Sequence, residues 1–170
     1  PQFMPSSWRN LAVDFDGDNK IDLLNNPVDA IGSVANYFKS NGWKTNEAIA
    51  TRAKIIADNY DEAITSKDLK TASTLADIKS KGLDVKDGAF ASTMPASALR
   101  LQGENGAEFW LAFNNFYVIT TYNRSTLYAM AVMQLSQALK EARAQVNSSQ
   151  SLVPIIEATS VTSPDVPSTL

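Results

Sequence analysis

Residues 13–43 read VDFDGDNKIDLLNNPVDAIGSVANYFKSNGW, a loop crowded with carboxylates that runs straight into a helical pattern. Asp14, Asp16, Asp18 and Asp22 occupy positions 1, 3, 5 and 9 of an EF-hand-type loop, with Ile21 at the apolar position 8. Alternate residues of a tight loop can aim their oxygens at one centre. Carboxylates gathered there without a cation would repel one another, so a structural Ca²⁺ is expected. Lys20, at position 7, would offer its backbone carbonyl. Asn19 stands at position 6, where glycine is usual, and Asn tolerates the left-handed backbone needed there. Asn25 stands at position 12 in place of a bidentate Glu. Asp29 is the candidate for that missing acid, giving a loop of residues 14–29, with Asp22 and Asn25 as alternative ligands. The plain alternative to an ion site is a solvated acidic turn.

The helix after the loop is well marked. Asn26 is a cap, Pro27 fits the first turn, and Gly42 lies just past the end. Val28, Ile31, Val34, Ala35 and Phe38 repeat at helical spacing, which predicts that they form the buried face. Before the loop, Ser6 and Ser7 offer capping hydroxyls to a short helix ending near Val13. After it, the spacing of Ile49, Ala53, Ile56 and Tyr60 predicts a helix over 47–60, and TLADIKSKGL (74–83) another ending at Gly82.

From Met94 the texture changes. ALRLQ (98–102), the turn GENG (103–106), AEFWLAF (107–113) and NFYVITTY (115–122) read as two or three strands of a small antiparallel sheet. The run Phe109, Trp110, Phe113, Phe116 and Tyr117 reads as sheet core in preference to a carbohydrate platform. Ser125 then caps a long amphipathic helix through about Gln145, with Leu127, Met130, Ala131, Leu135, Ala138 and Leu139 on its apolar side. Residues 146–170 turn to Ser, Thr, Pro and Val without a period, the composition of a flexible tail.

The 170 residues suit one domain, and 44% hydrophobic residues are enough for a core. A net charge of −3 with no Lys/Arg block argues against a nucleic-acid partner. The chain has no cysteine and no histidine. That removes the thiol nucleophile, the disulfide framework, the Ser/His/Asp triad and the usual zinc site together. Any chemistry rests on carboxylates, amides, hydroxyls and tyrosines.

Three segments, PQFMPSSW (1–8), the opening stretch, and NFYVITTYNRSTLYAMAVMQL (115–135), together resemble the membrane-bound lytic murein transglycosylase B family over residues 1–144 or so. The resemblance implies an α+β, mainly α, lysozyme-like transglycosylase fold fragment with a small antiparallel sheet and an EF-hand-like Ca²⁺ loop. It also implies cleavage of the bond between N-acetylmuramic acid and N-acetylglucosamine in peptidoglycan, with a 1,6-anhydromuramic product. Gln2 matches the family's substrate-contacting Gln, Tyr37 a cleft aromatic, and Tyr122 and Asn123 the pair in its TYN motif. Each has a structural alternative: a frayed terminus for Gln2, a core edge for Tyr37, sheet closure for Tyr122 and a helix cap for Asn123.

In that family QFMPSS is internal and follows a segment carrying the catalytic glutamate in an E-T-x-x-G-type motif, which this chain lacks. Residues 1–145 therefore look like the C-terminal part of the catalytic domain, with the general acid/base upstream and the chain inactive alone. The partners implied are peptidoglycan glycan strands and the missing N-terminal part or other cell-wall enzymes. The implied location is the periplasm, with outer-membrane anchoring through a missing N-terminus. The alternative function is a non-catalytic, Ca²⁺-stabilised peptidoglycan-binding module.

Overall fold

The computed structural model describes residues 1–65, 69–70 and 73–150. They fall into two compact units, Pro1–Met133 and a second from Gln134 onward. The elements are α1 (Pro5–Leu11), α2 (Pro27–Ser40), β1 (Ala50–Ile55), a 3₁₀ turn (Tyr60–Ala63), β2 (Ser73–Thr74), α3 (Leu75–Ser80), β3 (Leu83–Val85), β4 (Pro95–Gly103), β5 (Gly106–Ala112), α4 (Asn114–Tyr122) and α5 (Thr126–Gln150). No described helix is long and apolar enough to cross a membrane.

The sheet runs β2-β4-β5-β1-β3, and every named pairing is antiparallel. Its centre is the β4–β5 hairpin, which closes at the Gly103–Gly106 pair, where Gly106 takes φ +112°. Alternation along these strands divides the apolar side chains between two faces. On one face Leu99, Trp110 and Ala112 meet Phe116 and Ile119 of α4 and Ala129, Met130 and Met133 of α5. On the other, Ala96, Ala98 and Leu111 meet Leu75 and Ile78 of α3, with Leu83 and Phe113. The sheet is thus covered on both sides; of the expected sheet-core run Trp110 is buried from a strand, Phe113 and Phe116 are buried from the start of α4, and Phe109 and Tyr117 are half-buried.

Two sequence expectations fail here. Residues 47–60 do not form a helix: Ala50–Ala112, Thr51–Leu111 and Arg52–Trp110 pair β1 with β5, and Ala53–Val85 through Ile55–Leu83 pair it with β3. Asn46 sits at φ +65°, which interrupts any helix entering the segment, and two neighbouring strands then supply the hydrogen bonds. Conversely, residues 115–122 are helical despite their β-branched composition. Asn115, Phe116, Val118, Ile119 and Thr120 are all buried, which a half-exposed strand could not provide. The hydroxyls of Thr120 and Thr121 donate to the carbonyls of Tyr117 and Val118, one turn back, at 2.7 Å each.

Smaller differences follow the same logic. α1 starts at Pro5, so Ser6 and Ser7 lie inside its first turn and its cap position, Met4, makes no side-chain cap bond. α3 keeps its expected place and is opened by a capping box between Thr74 and Asp77. The Thr74 hydroxyl and N–H hold the Asp77 carboxyl below the ordinary carboxylate range. The stability this adds is fully present above the unfolded value near ~3.9 and is lost as pH falls through the lower folded value. In α5 the buried stripe is Ala129, Met130 and Met133, while Leu127, Leu135 and Leu139 are exposed. α5 continues to Gln150; residues 151–170, on which most of the expected tail falls, lie outside the described residues.

Candidate functional site

α2 determines how the site is assembled, and its fully buried residues are not those of its apolar stripe. The side facing α1 and the acidic loop carries Asp29, Gly32 and Ser33, all buried. Ser33 Oγ accepts the Val13 N–H at 2.9 Å, and Asn36 Nδ2 donates to the Leu11 carbonyl at 2.9 Å. Gly32 leaves room for Phe15, since a Cβ there would lie 2.3 Å from Phe15 Cγ. Val28 and Ile31, expected in the core, are exposed. Buried polar side chains won these positions because each satisfies a backbone group of a neighbouring segment.

The outer side of α2 instead forms one wall of a groove of about 420 Å³. Ile31, Val34 and Phe38 line it from α2, and Tyr122, Tyr128 and Val132 from the α4–α5 side. Of the residues singled out from sequence, Tyr122 lines this groove, and Tyr37 and Gln2 contact Tyr122 from outside the lining. The Tyr37 ring meets Tyr122 edge-on with centroids 5.2 Å apart, and the Gln2 N–H donates to the Tyr122 hydroxyl at 2.8 Å. Asn123 follows immediately in the chain. Its Oδ1 accepts the Ser125 N–H at 3.2 Å, while the cap on the Tyr128 N–H comes from Ser125 Oγ.

The two tyrosine hydroxyls are oriented oppositely. Tyr37 donates its proton to the Thr121 carbonyl at 2.8 Å, so only lone pairs remain for another group. Tyr122 accepts from Gln2, so its proton is free to be donated. Burial pushes the Tyr122 phenol above its ordinary value, against the lowering effect of the Gln2 N–H, and keeps that proton in place. The pair offers one acceptor and one donor beside apolar rings, a combination suited to a sugar hydroxyl or acetamido group lying on an aromatic face.

Sequence reasoning missed Phe3 and Tyr128. The Phe3 ring lies 5.9 Å from Tyr37 and 6.1 Å from Tyr122, and Tyr128 stacks on Tyr122 at 6.3 Å with 17° between planes. Both stand inside the motifs already quoted, so the available signal was their proximity in sequence to Gln2 and Asn123. Among the described residues no carboxylate lines the groove. Glu108 is paired with Arg52 at 2.8 Å and Glu47 approaches Lys44 at 3.7 Å, both outside the groove lining. The groove as described can bind and orient; it holds no group able to protonate a glycosidic oxygen.

In the acidic loop, carboxylate oxygens of Asp14, Asp16 and Asp18 lie within 4.8 Å of one another. Asn19 adopts φ +68°, the left-handed position foreseen for it. Asp14 accepts the N–H groups of Gly17 and Asn19 at 2.7 and 2.8 Å, and Asp18 that of Lys20 at 2.8 Å. Asp29 stands beneath the loop. Its two oxygens accept the Phe15 N–H at 2.8 Å and the Asp22 N–H at 2.9 Å, tying together the start and end of the turn. The N–H groups of Asp22 and Phe15 hold its carboxyl below the ordinary range. Asp22 closes its own turn, and the Asn25 N–H, with the Asn25 side chain and the Leu24 N–H, lowers its carboxyl likewise.

The family model described as the transglycosylase SLT domain matches residues 1–137. The chain is 44% identical over 144 residues to membrane-bound lytic murein transglycosylase B of Escherichia coli K12, covering 85% of this chain and 38% of that protein. Among solved structures, the soluble lytic transglycosylase SltB1 of Pseudomonas aeruginosa aligns with TM-score 0.78 and 43% identity, over 85% of this chain and 47% of that one. The Escherichia coli lytic transglycosylase Slt35 in complex with calcium aligns with TM-score 0.72 and 44% identity, over 84% and 44%. SltB3 of Pseudomonas aeruginosa in complex with NAG-NAM-pentapeptide aligns with TM-score 0.68 and 34% identity, over 82% and 37%. The chain therefore spans less than half the length of each of these relatives.

Proposed function

The chain belongs to the transglycosylase SLT domain family, and from that premise we propose that residues 1–145 are the C-terminal part of a lytic murein transglycosylase catalytic domain. The reaction is cleavage of the MurNAc–GlcNAc bond of peptidoglycan with a 1,6-anhydromuramic product. One observation carries the reading: Tyr37, Phe3 and Tyr128 pack their rings around Tyr122, which with Tyr128 lines the groove, and the Tyr122 hydroxyl accepts one hydrogen bond while the Tyr37 hydroxyl donates one.

The roles divide as follows. Aromatic faces take the apolar faces of pyranose rings; Tyr122 donates to, and Tyr37 accepts from, the sugar's polar groups; Gln2 and Asn123 offer side-chain amides at the rim. The chemical step needs a carboxylic acid that protonates the leaving oxygen and then accepts the proton of the muramic 6-hydroxyl as it closes the ring. A catalytic Glu from outside these residues supplies it. The substrate is the glycan strand, the compartment is the periplasm where that strand lies, and the remainder of a transglycosylase domain or another cell-wall enzyme is the partner. A non-catalytic peptidoglycan-binding module is the second reading, favoured by the groove's lack of a carboxylate. Titration of the chain with NAG-NAM tests the binding step common to both. Tyr122→Ala is expected to weaken binding at least tenfold, since it removes a stacked face and a hydrogen bond together; unchanged affinity would remove Tyr122 from the site.

The same reading gives loop 14–29 a structural Ca²⁺. The residues fit: hard oxygen donors of Asp14, Asp16 and Asp18 lie close together, Gly17 and Asn19 take the left-handed backbone of a tight turn, and Lys20 would offer its carbonyl. Asp29 would add an oxygen lone pair not used by its backbone partners, and it also stabilises the loop through those partners. Ca²⁺ bound only to the native state raises stability by about 4 kcal/mol at a thousand times its dissociation constant. Thermal melting should therefore show a higher midpoint in Ca²⁺ than in chelator, by several degrees. Identical midpoints would count against an ion site.

A further inference from the structure

The chain holds two Asn-Gly pairs, Asn41–Gly42 at the end of α2 and Asn105–Gly106 at the tip of the β4–β5 hairpin. We propose that Asn105 is a site of spontaneous deamidation through a succinimide, from which the fold protects Asn41; the assignment stands independently of the glycan reading. In both pairs the residue after the Asn is glycine, whose nitrogen is not screened by a side chain. Crowding does not separate the pairs either, because a Cβ built on Gly42 or on Gly106 would meet no atom within 4 Å. Hydrogen bonding does.

Ring closure joins the Gly106 nitrogen, once it has lost its proton to solvent, to Asn105 Cγ. As that bond forms, the Cγ–Nδ2 bond breaks and Nδ2 leaves as ammonia, taking up a proton from water. Water then adds to one of the two ring carbonyls and cleaves its bond to the ring nitrogen, leaving Asp or isoaspartate. Asn105 is exposed, and its side chain has no partner among the described residues. With Glu104 it forms the two-residue tip beyond the Gly103–Gly106 pair. Only that last rung has to open for Cγ and nitrogen to meet, and terminal rungs open at little free-energy cost. At Asn41 both sides of the closure are engaged: Nδ2 donates to the Tyr37 carbonyl at 2.8 Å, and the Gly42 N–H donates to the Lys39 carbonyl at 3.1 Å. The Gly42 carbonyl also accepts from Asn114 Nδ2 at 2.8 Å, which ties the pair to α4. Closure there requires the end of α2 to unravel. At the hairpin the product places a new carboxylate beside Glu104, and its isoaspartyl form lengthens the backbone and displaces the Gly103–Gly106 register.

The test incubates the full folded chain at mildly alkaline pH, where more of the backbone nitrogen is deprotonated. Tryptic peptides 40–44 and 101–124 are then followed by mass and by chromatography against isoaspartyl standards. Conversion at Asn105 is expected to run at least about tenfold faster than at Asn41, because a hairpin tip opens far more often than a helix end tied to a second helix. In urea, where neither pair is held, the two rates should converge. Asn105→Gln should remove the product from peptide 101–124, which excludes Asn114, Asn115 and Asn123 as its source. The assignment is overturned if Asn105 persists in the folded chain as long as Asn41 does, or if the product survives Asn105→Gln. A rate difference that remains in urea would overturn it too, since flanking sequence and not the fold would then be the cause.

Discussion

Replacing Asn115 with Leu is expected to destabilise the chain by about 4 kcal/mol, a large part of the 5–15 kcal/mol that holds a typical domain together. Asn115 is fully buried at the first turn of α4. Its Oδ1 accepts the Lys44 N–H at 2.9 Å, and its Nδ2 donates to the carbonyls of Lys44 and Glu47 at 2.8 and 3.1 Å. Leu has the same branched heavy-atom skeleton, with two bulkier methyl groups in place of the amide oxygen and nitrogen. It cannot answer three backbone groups, each of which costs about 1–3 kcal/mol when buried without a partner. The effect reaches the site because α4 carries Tyr122 and Asn123 at its other end. Urea unfolding would show the loss as a lower midpoint with an unchanged slope; a midpoint within the error of wild type would mean that the 44–47 backbone finds its partners elsewhere.

The second large effect is one whose sign runs against helix propensity. In an open helix Gly→Ala stabilises by about 1 kcal/mol. At Gly32 an added Cβ would lie 2.3, 2.5 and 2.6 Å from Phe15 Cγ, Cβ and Cδ2. Cβ and Cγ stand too close to the Phe15 backbone to swing aside, so the loop must separate from α2. That separation strains the Phe15 N–H bond to Asp29. Overpacking of this kind outweighs the propensity gain, and Gly32→Ala should lose about 2 kcal/mol net. It should also reduce the stabilisation by Ca²⁺, because Asp29 and the acidic turn are held in register by the same contact. A Gly32→Ala chain that melts higher than wild type would refute this account of the loop.

The parts of the fold legible in sequence are those decided within one turn of chain. Asn26 accepts the N–H groups of Val28 and Asp29, Pro27 opens α2, and the left-handed Gly82 follows the end of α3, as local chemistry dictates. The left-handed Asn19 belongs with them. The failures were decided by distant partners. Helical spacing in 47–60 coincided with a strand whose Ala50 and Ala53 serve opposite faces of the sheet. Residues 115–122 have strand-forming side chains, yet burial on several sides and the Asn115 clamp make them a helix. In α2 the apolar stripe reaches the core only through Phe38, and the fully buried positions went to Asp29 and Ser33, which satisfy backbone groups of residues 13–22. At the groove, Tyr37 and Tyr122 were legible through a family motif; Phe3 and Tyr128 were legible only once the helices were placed.

The central claim is that this chain supplies the glycan cleft of a lytic transglycosylase while the acid comes from elsewhere. The most direct measurement is anhydromuropeptide release from purified peptidoglycan by this chain alone and by this chain mixed with a transglycosylase segment that bears the catalytic Glu. No release alone and release with the added segment is the predicted result; release by the chain alone would show that one of its own carboxylates does the chemistry and would contradict the account.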